Sequence, residues 1–294
     1  MANTKEIKDR INSIKQTQKI TNAMYLISST KLQKAKKDLE KTEPYFFGMQ
    51  AMVERLQRHL PDIKNPYFED FHDIPEEEKT HAFLVITADK GLAGSYNHNV
   101  LKMTEEEMAK HKKTKLFVVG ELGRQYFESK HIPIDEQFHY TAQNPSLHRA
   151  RMISLRTLEL FTKGEIHSLY IVYTVMLNSM ETETLLQPLL PLKASVPDIS
   201  LPLDVYREEF MLEPSPEAVI NAVVPNCNTG YIYSALVESF CSEQNARMQA
   251  MQAANNAAND ILHDLNIKYN RVRQAMITQE ITEVCAGAKA QRSS

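Results

Sequence analysis

The residues best placed to do chemistry sit at a strand-to-helix turn. An apolar run, Ala82-Phe83-Leu84-Val85-Ile86-Thr87-Ala88, ends at Asp89-Lys90-Gly91-Leu92-Ala93-Gly94. Backbone N–H groups of such a turn can cradle a phosphate, and an acid at the carboxyl end of a strand stands where ligands of open α/β sheets bind. The spacing, however, is not G-x-G-x-x-G. Gly120-Glu121-Leu122-Gly123, after a second apolar run at Lys115–Val119, departs from it too, and no G-x-x-x-x-G-K-[ST] occurs. The glycines therefore read as serving tight turns, and Asp89 as a helix cap. Ten histidines are scattered without H-E-x-x-H or a Cys/His cluster, so no metal site is expected. Cys227, Cys241 and Cys285, odd in number and widely spaced, read as free thiols in a reducing compartment. With no nucleophile–base constellation in view, the expectation is a non-catalytic chain without a cofactor.

The elements that would position these residues follow from where helix breakers are missing. None of the 8 glycines and 13 prolines lies between Met1 and Glu43, and none between Tyr231 and Ala286. Two long helices are expected, over about Thr4–Lys41 and Tyr231–Ala286, roughly 55 and 85 Å long at about 1.5 Å per residue. Ile7, Ile11, Ile14, Thr21, Tyr25, Ser28, Leu32, Ala35 and Leu39 form a stripe at 3–4 spacing, with Ile20, Met24 and Ile27 beside it. Ala250, Ala254, Ala257, Ile261, Leu265, Val272 and Ala275 form another, and Gln18, Thr21, Ser28 and Lys268 interrupt the heptads. The pattern fits an antiparallel two-helix coil made from the chain ends. It fits a helical bundle on one core equally well.

Between the helices, Ala82–Ala88, Lys115–Val119 and Ser168–Thr174 are short apolar runs rich in strand formers. They alternate with helix-like stretches at about Tyr96–Lys112, Glu121–Lys130 and Ser146–Lys163. That order predicts a small parallel α/β sheet, to which Ser179–Leu190 adds a further strand. Pro61, Pro66 and Pro75 mark the way in; Pro188 to Pro225 mark the way out, with a short helix at about Glu217–Val224. The expected division is a shaft helix over 1–60, an inserted globular domain over 76–213 and a second shaft helix over 214–294.

With 43% hydrophobic and 24% charged residues and a net charge of -3, the chain has globular composition. No apolar run approaches the ~18 residues of a spanning helix, and the start lacks an apolar signal core. Residues 1–41 hold ten basic and four acidic side chains, a local net of +6. Such a basic rod could meet an acidic collar; nucleic acid is disfavoured because Tyr25 is the only aromatic on it.

Arg10-Ile-Asn-Ser-Ile-Lys-Gln-Thr-Gln-Lys-Ile-Thr-Asn-Ala-Met24 with Ser29-Thr-Lys-Leu-Gln-Lys-Ala35 resembles the amino-terminal signature of F-type ATP synthase gamma subunits. Ser242-Glu-Gln-Asn-Ala-Arg-Met-Gln-Ala-Met251, Tyr269-Asn-Arg-Val-Arg-Gln-Ala275 and Ile277-Thr-Gln-Glu-Ile-Thr-Glu283 resemble the carboxyl signature. Thr87–Gly94 with Asn97 and Asn99 is similar to that family's first strand-to-helix turn. The likeness runs in order along nearly the whole chain, with departures at Asn22, Ser28–Thr30, Ala93 and Ser95. It implies a mixed α+β and α/β fold: an antiparallel coiled coil of long amino- and carboxyl-terminal helices with an inserted Rossmann-like α/β domain. It further implies the central rotor shaft of an ATP synthase, coupling ion flow to ATP chemistry in partner subunits. The coil would fill a hexamer of alpha and beta subunits. The foot would sit on the membrane rotor ring with epsilon, and delta would belong to the same complex, at the cytoplasmic face of the cell membrane. Met24, Arg247, Arg273, Gln274, Thr278 and Glu280 would face beta-subunit loops. A small-molecule-binding α/β protein and an unrelated coiled-coil scaffold are the rival readings.

Overall fold

The computed structural model describes residues 4–59, 65–68, 71, 73–138, 142–178, 181–192 and 212–292. Its helices are α1 (Thr4–His59), α2 (Tyr96–Met108), α3 (Glu121–Ser129), α4 (Leu147–Thr162) and α5 (Pro216–Arg292). Its strands are β1 (Thr80–Ile86), β2 (Lys113–Val119), β3 (Glu136–Phe138), β4 (Ser168–Met176) and β5 (Thr182–Leu190). The chain divides into two compact units, residues 30–246 and residues 1–29 with 247–294.

In the larger unit the five strands lie in the order β3-β2-β1-β4-β5. The first four run parallel and β5 runs antiparallel to β4, so the sheet is mixed rather than wholly parallel. The short gap between β4 and β5 explains this: a parallel return needs a crossover of a dozen or more residues, while an antiparallel one needs only a turn. Leu177 and Asn178 both donate their N–H to the Glu181 carbonyl there. Because side chains alternate along a strand, β1 divides its apolar run between two cores. Ala82, Leu84 and Ile86 face a core shared with α4 (Ile153, Leu158, Phe161), Ala35 of α1 and Ile232–Phe240 of α5. Phe83 and Val85 face Val100 and Leu101 of α2 and Phe127 of α3 on the other side. The result is a three-layer Rossmann-like domain. β3 is three residues long and was not legible as a strand; its backbone pairs with 117–119 of β2.

Both terminal helices outrun the sequence expectation, because proline does not stop them. α1 continues through Pro44 and α5 contains Pro225, so the expected short helix at Glu217–Val224 is the first part of α5. A helix-interior proline costs about 3 kcal/mol. Packing on both flanks offsets it: Val53 and Leu56 of α1 meet Ile220, Val224 and Cys227 of α5 in a core of their own. The Phe46 ring lies directly over Gly230, where an added Cβ would be 2.2 Å from its Cδ1. Part of the expected proline-rich link, residues 193–211, lies outside the described residues.

In the smaller unit, α1 and α5 run antiparallel: moving forward from Thr4 through Gln18 to Thr21 moves the partner back from Met276 through Asn259 to Asn255. Ile7, Ile11 and Leu262 are buried, with Ile14, Leu265, Tyr269 and Val272 packed around them. The seam on α5 is thus Met251, Asn255, Ala258, Leu262, Leu265, Tyr269 and Val272, a regular heptad spacing. The alanine stripe expected at Ala250, Ala254 and Ala257 lies about one residue off this seam, and Ile261 is 46% exposed. Alanine spacing alone does not mark the seam, and the polar Asn255 on it masks its heptad pattern. Of the supposed interruptions, Gln18, Thr21 and Ser28 turn inward, while Lys268 is exposed. Gln18 donates to Asn259 Oδ1 at 2.7 Å, and the Thr21 hydroxyl donates to Asn255 Oδ1. Polar pairs at seam positions fix register, because any slip leaves them without partners.

Candidate functional site

The Asp89 carboxylate and the end of β1 are tied by hydrogen bonds to the first turn of the neighbouring helix α3. Asp89 Oδ1 accepts from the Glu121 N–H at 3.2 Å, and Oδ2 from the Gln143 N–H at 3.4 Å. Leu122 N–H donates to the Ala88 carbonyl at 3.1 Å and Gly123 N–H to Thr87 Oγ1 at 3.0 Å. The first three amide groups of α3 are therefore spent within the protein, and these are the donors a helix terminus would offer a phosphate. The Ala88 N–H is likewise taken by Asn97 Oδ1 at 2.9 Å. Asp89 acts as a cap and Gly120 as the close-approach residue, as the sequence suggests. The geometry is that of a fastened corner.

The residues expected to contact partners all fall in the smaller unit. Met24 is half-buried, Arg247 is 8% exposed, and Arg273, Gln274, Thr278 and Glu280 are exposed. Arg247 thus stands apart from the other five. Every residue from Arg273 to Lys289 is exposed, including Met276, Ile277, Ile281 and Val284, and Val284 reaches 71%. Thr4, the first described residue of α1, meets Met276, and α5 runs on from there to Arg292, roughly 24 Å at about 1.5 Å per residue. Within this stretch the Thr278 hydroxyl donates to the Gln274 carbonyl at 2.9 Å and Gln279 pairs with Glu283 at 2.9 Å, bonds that stiffen the helix without covering its apolar groups.

A separate constellation lies at the amino-terminal edge of the parallel strands. Glu76, His81 and His111 bring one ligating atom each within 4.8 Å of one another. Their positions, 5 and 30 residues apart, match no spacing motif, so no local pattern marks them. Burial first, then the neighbouring His111, pushes the His81 imidazole below its usual range. Lys79, by a hydrogen bond, holds the Glu76 carboxyl below its own.

The thiols carry no chemistry of this kind. Cys227 and Cys241 are buried and Cys285 is exposed, all free. Burial pushes the Cys227 thiol up to about 12 and Cys241 up to about 11, so neither forms thiolate near neutrality. A thiol-specific chromophore should therefore label one cysteine quickly in the native chain and all three in urea. Two or more fast thiols in the native chain would contradict this packing.

A family model described as "ATP synthase" matches residues 3–291. The ATP synthase gamma chain of Acetivibrio thermocellus is 43% identical, covering 99% of each chain. That of Ruminiclostridium cellulolyticum is 42% identical, covering 98% of each. Among solved structures, a chain of the Euglena gracilis mitochondrial ATP synthase (OSCP/F1/c-ring, rotational state 3) superposes with a TM-score of 0.68. It covers 99% of this chain and 95% of that one at 16% identity, a likeness of fold.

Proposed function

The chain belongs to the ATP synthase gamma-chain family, and on that premise we propose that it is the central rotor shaft of an F-type ATP synthase. It couples ion flow through a membrane ring to ATP synthesis or hydrolysis in an alpha/beta hexamer. The observation that carries the shaft reading furthest is the exposed end of α5. A lone helix bearing Met276, Ile277, Ile281 and Val284 in the open is a poor surface for a monomer, and a sleeve of partner subunits would cover it. The excess of basic residues on the first helix suits an acidic collar around it. Arg273, Gln274, Thr278 and Glu280 on this end, with Met24 and Arg247 further along the coil, are the residues assigned to beta-subunit contacts.

Mechanism follows from symmetry. One shaft inside a three-fold ring cannot present the same face to three chemically equal subunits. Each catalytic site then meets different contacts and takes a different nucleotide affinity, and rotation passes those states around the ring. The chain itself contributes no bond-making group in this scheme. The larger unit would rest on the membrane ring with epsilon, and delta would complete the complex at the cytoplasmic face. Among the described residues no helix is long and apolar enough to cross a membrane.

Purification from native membranes through a tag on this chain tests the assembly. One copy should emerge with three each of two larger subunits, with ATPase activity. A lone chain, or a partner without that activity, would return the sequence to a scaffold or ligand-binding reading. Within the complex, Arg273→Ala with Gln274→Ala should lower coupled ATPase activity about tenfold, the loss of about 1.4 kcal/mol of contacts. Both side chains are exposed, so the free chain should keep its helix content. Undiminished coupling in the double variant would sink the assignment of these two residues.

A further inference from the structure

We propose that Glu76, His81 and His111 form a binding site for a divalent cation of the zinc class, completed by water. The site lies in the larger unit, at the edge of the sheet opposite the Asp89 corner, and does not depend on the shaft reading.

The distances suit one ion. Glu76 Oε1 is 3.1 Å from His81 Nε2, and all three ligating atoms lie within 4.8 Å. Two ligands of a tetrahedral zinc ion, each about 2.0–2.1 Å from the metal, stand roughly 3.3 Å apart. Glu76 and His81 already have that separation, and His111 lies close enough to close the remaining gap by a small movement. His111 lies between α2 and β2, outside both, and is half-buried, so it is free of a strand's constraint.

The buried histidine invites a ligand. His81 is 4% exposed, and its Nε2 has no hydrogen-bond partner among the described residues although the Glu76 carboxylate is close. A nitrogen withdrawn from water in this way is costly to leave without a partner. Its other nitrogen, Nδ1, is 2.7 Å from Ser168 Oγ. A hydroxyl can donate or accept, so Ser168 can take the Nδ1 proton in a hydrogen bond and leave the Nε2 lone pair for a metal. Outer hydrogen bonds of this kind orient histidine ligands.

The donor set selects the class. Two imidazoles and one carboxylate suit zinc and its neighbours; calcium and magnesium want oxygen, and copper(I) wants sulfur. Two features weaken the site. The His111 ring stacks on His81 with centroids 3.8 Å apart and planes at 28°, so its lone pair turns toward the ion only if the ring rotates. Lys79 Nζ, 3.2 Å from Glu76 Oε2, neutralises part of the carboxylate charge. The expected role is a tie between the turn before β1 and the approach to β2.

Metal-free full-length chain should be titrated with zinc chloride at neutral pH by calorimetry, with cobalt(II) absorption as a second readout. One equivalent should bind. His111→Gln and Glu76→Gln should each weaken it at least about tenfold, while His98→Gln, at an exposed histidine of α2, should not. His111 and Glu76 lie at or near the surface, so circular dichroism should show both variants folded. Failure of the unaltered chain to bind, or binding untouched by both substitutions, overturns the proposal.

Discussion

Gly120→Ala is expected to destabilise the chain by about 4 kcal/mol or to prevent the larger unit from folding. Gly120 has φ 100° and ψ 141°, a backbone region that is essentially glycine's alone. A Cβ there would stand 2.2 Å from the Thr87 carbonyl oxygen and 2.6 Å from Thr87 Oγ1. Neither atom can retreat. Thr87 N–H donates to the Val119 carbonyl at 2.9 Å, and Thr87 Oγ1 holds both the Val119 carbonyl and the Gly123 N–H at 3.0 Å. Backbone strain of about 1–3 kcal/mol adds to an overpacking cost of similar size. Gly91→Ala provides the contrast: nothing lies within 4 Å of a Cβ there, and its φ is not left-handed. It should change stability by no more than about 0.5 kcal/mol. Urea denaturation followed by circular dichroism separates the two, and coincident midpoints would refute the steric account.

The contrast shows which parts of this fold are legible in its sequence. The two long windows free of glycine and proline, and the apolar runs of β1, β2 and β4, carry strong local signals, and the structure has helices and strands there. Their ends do not follow from local signals. Pro44 and Pro225 would stop isolated helices, and tertiary packing such as the core of Val53, Leu56, Ile220 and Val224 holds the helices through them. β3 has three residues and owes its strand character to β2 beside it. The coil seam is not legible from alanine spacing, because Met251 and the polar Asn255 carry it. Register there is decided by the Gln18–Asn259 and Thr21–Asn255 pairs, which one helix cannot reveal. The Asp89 corner was legible as a cap because its failure to match a phosphate motif is a matter of spacing. The Glu76–His81–His111 cluster was not, because parallel pairing of β1 with β2 brings its members together.

Raising the pH from about 8 to about 11 is expected to remove several kcal/mol of stability, and a buried thiol should carry a measurable part of it. Burial, with Glu54 nearby, lifts Cys227 from 9.0 to about 12. Burial lifts Cys241 from 9.0 to about 11, and burial with Glu238 lifts Tyr173 from 10.0 to about 12. A folded-state value above the unfolded one means that the native chain keeps its proton where the unfolded chain has lost it. Unfolding is then favoured as pH rises, so the stabilisation is complete below pH 9 and drains away between about 9 and 12. Each such group contributes a slope of about 1.4 kcal/mol per pH unit while only the unfolded form is ionised. Cys227 is 4% exposed and packed between α1 and α5, so solvent screening relieves little of this. Cys227→Ala removes one ionising group at the cost of a small cavity. The variant should be less stable at about pH 8, yet lose about 1.4 kcal/mol less per pH unit than the unaltered chain above 9. Urea midpoints across that range decide it. Parallel declines would mean that Cys227 ionises as readily in the folded chain as in the unfolded one, and that α1 and α5 part before the rest of the larger unit does.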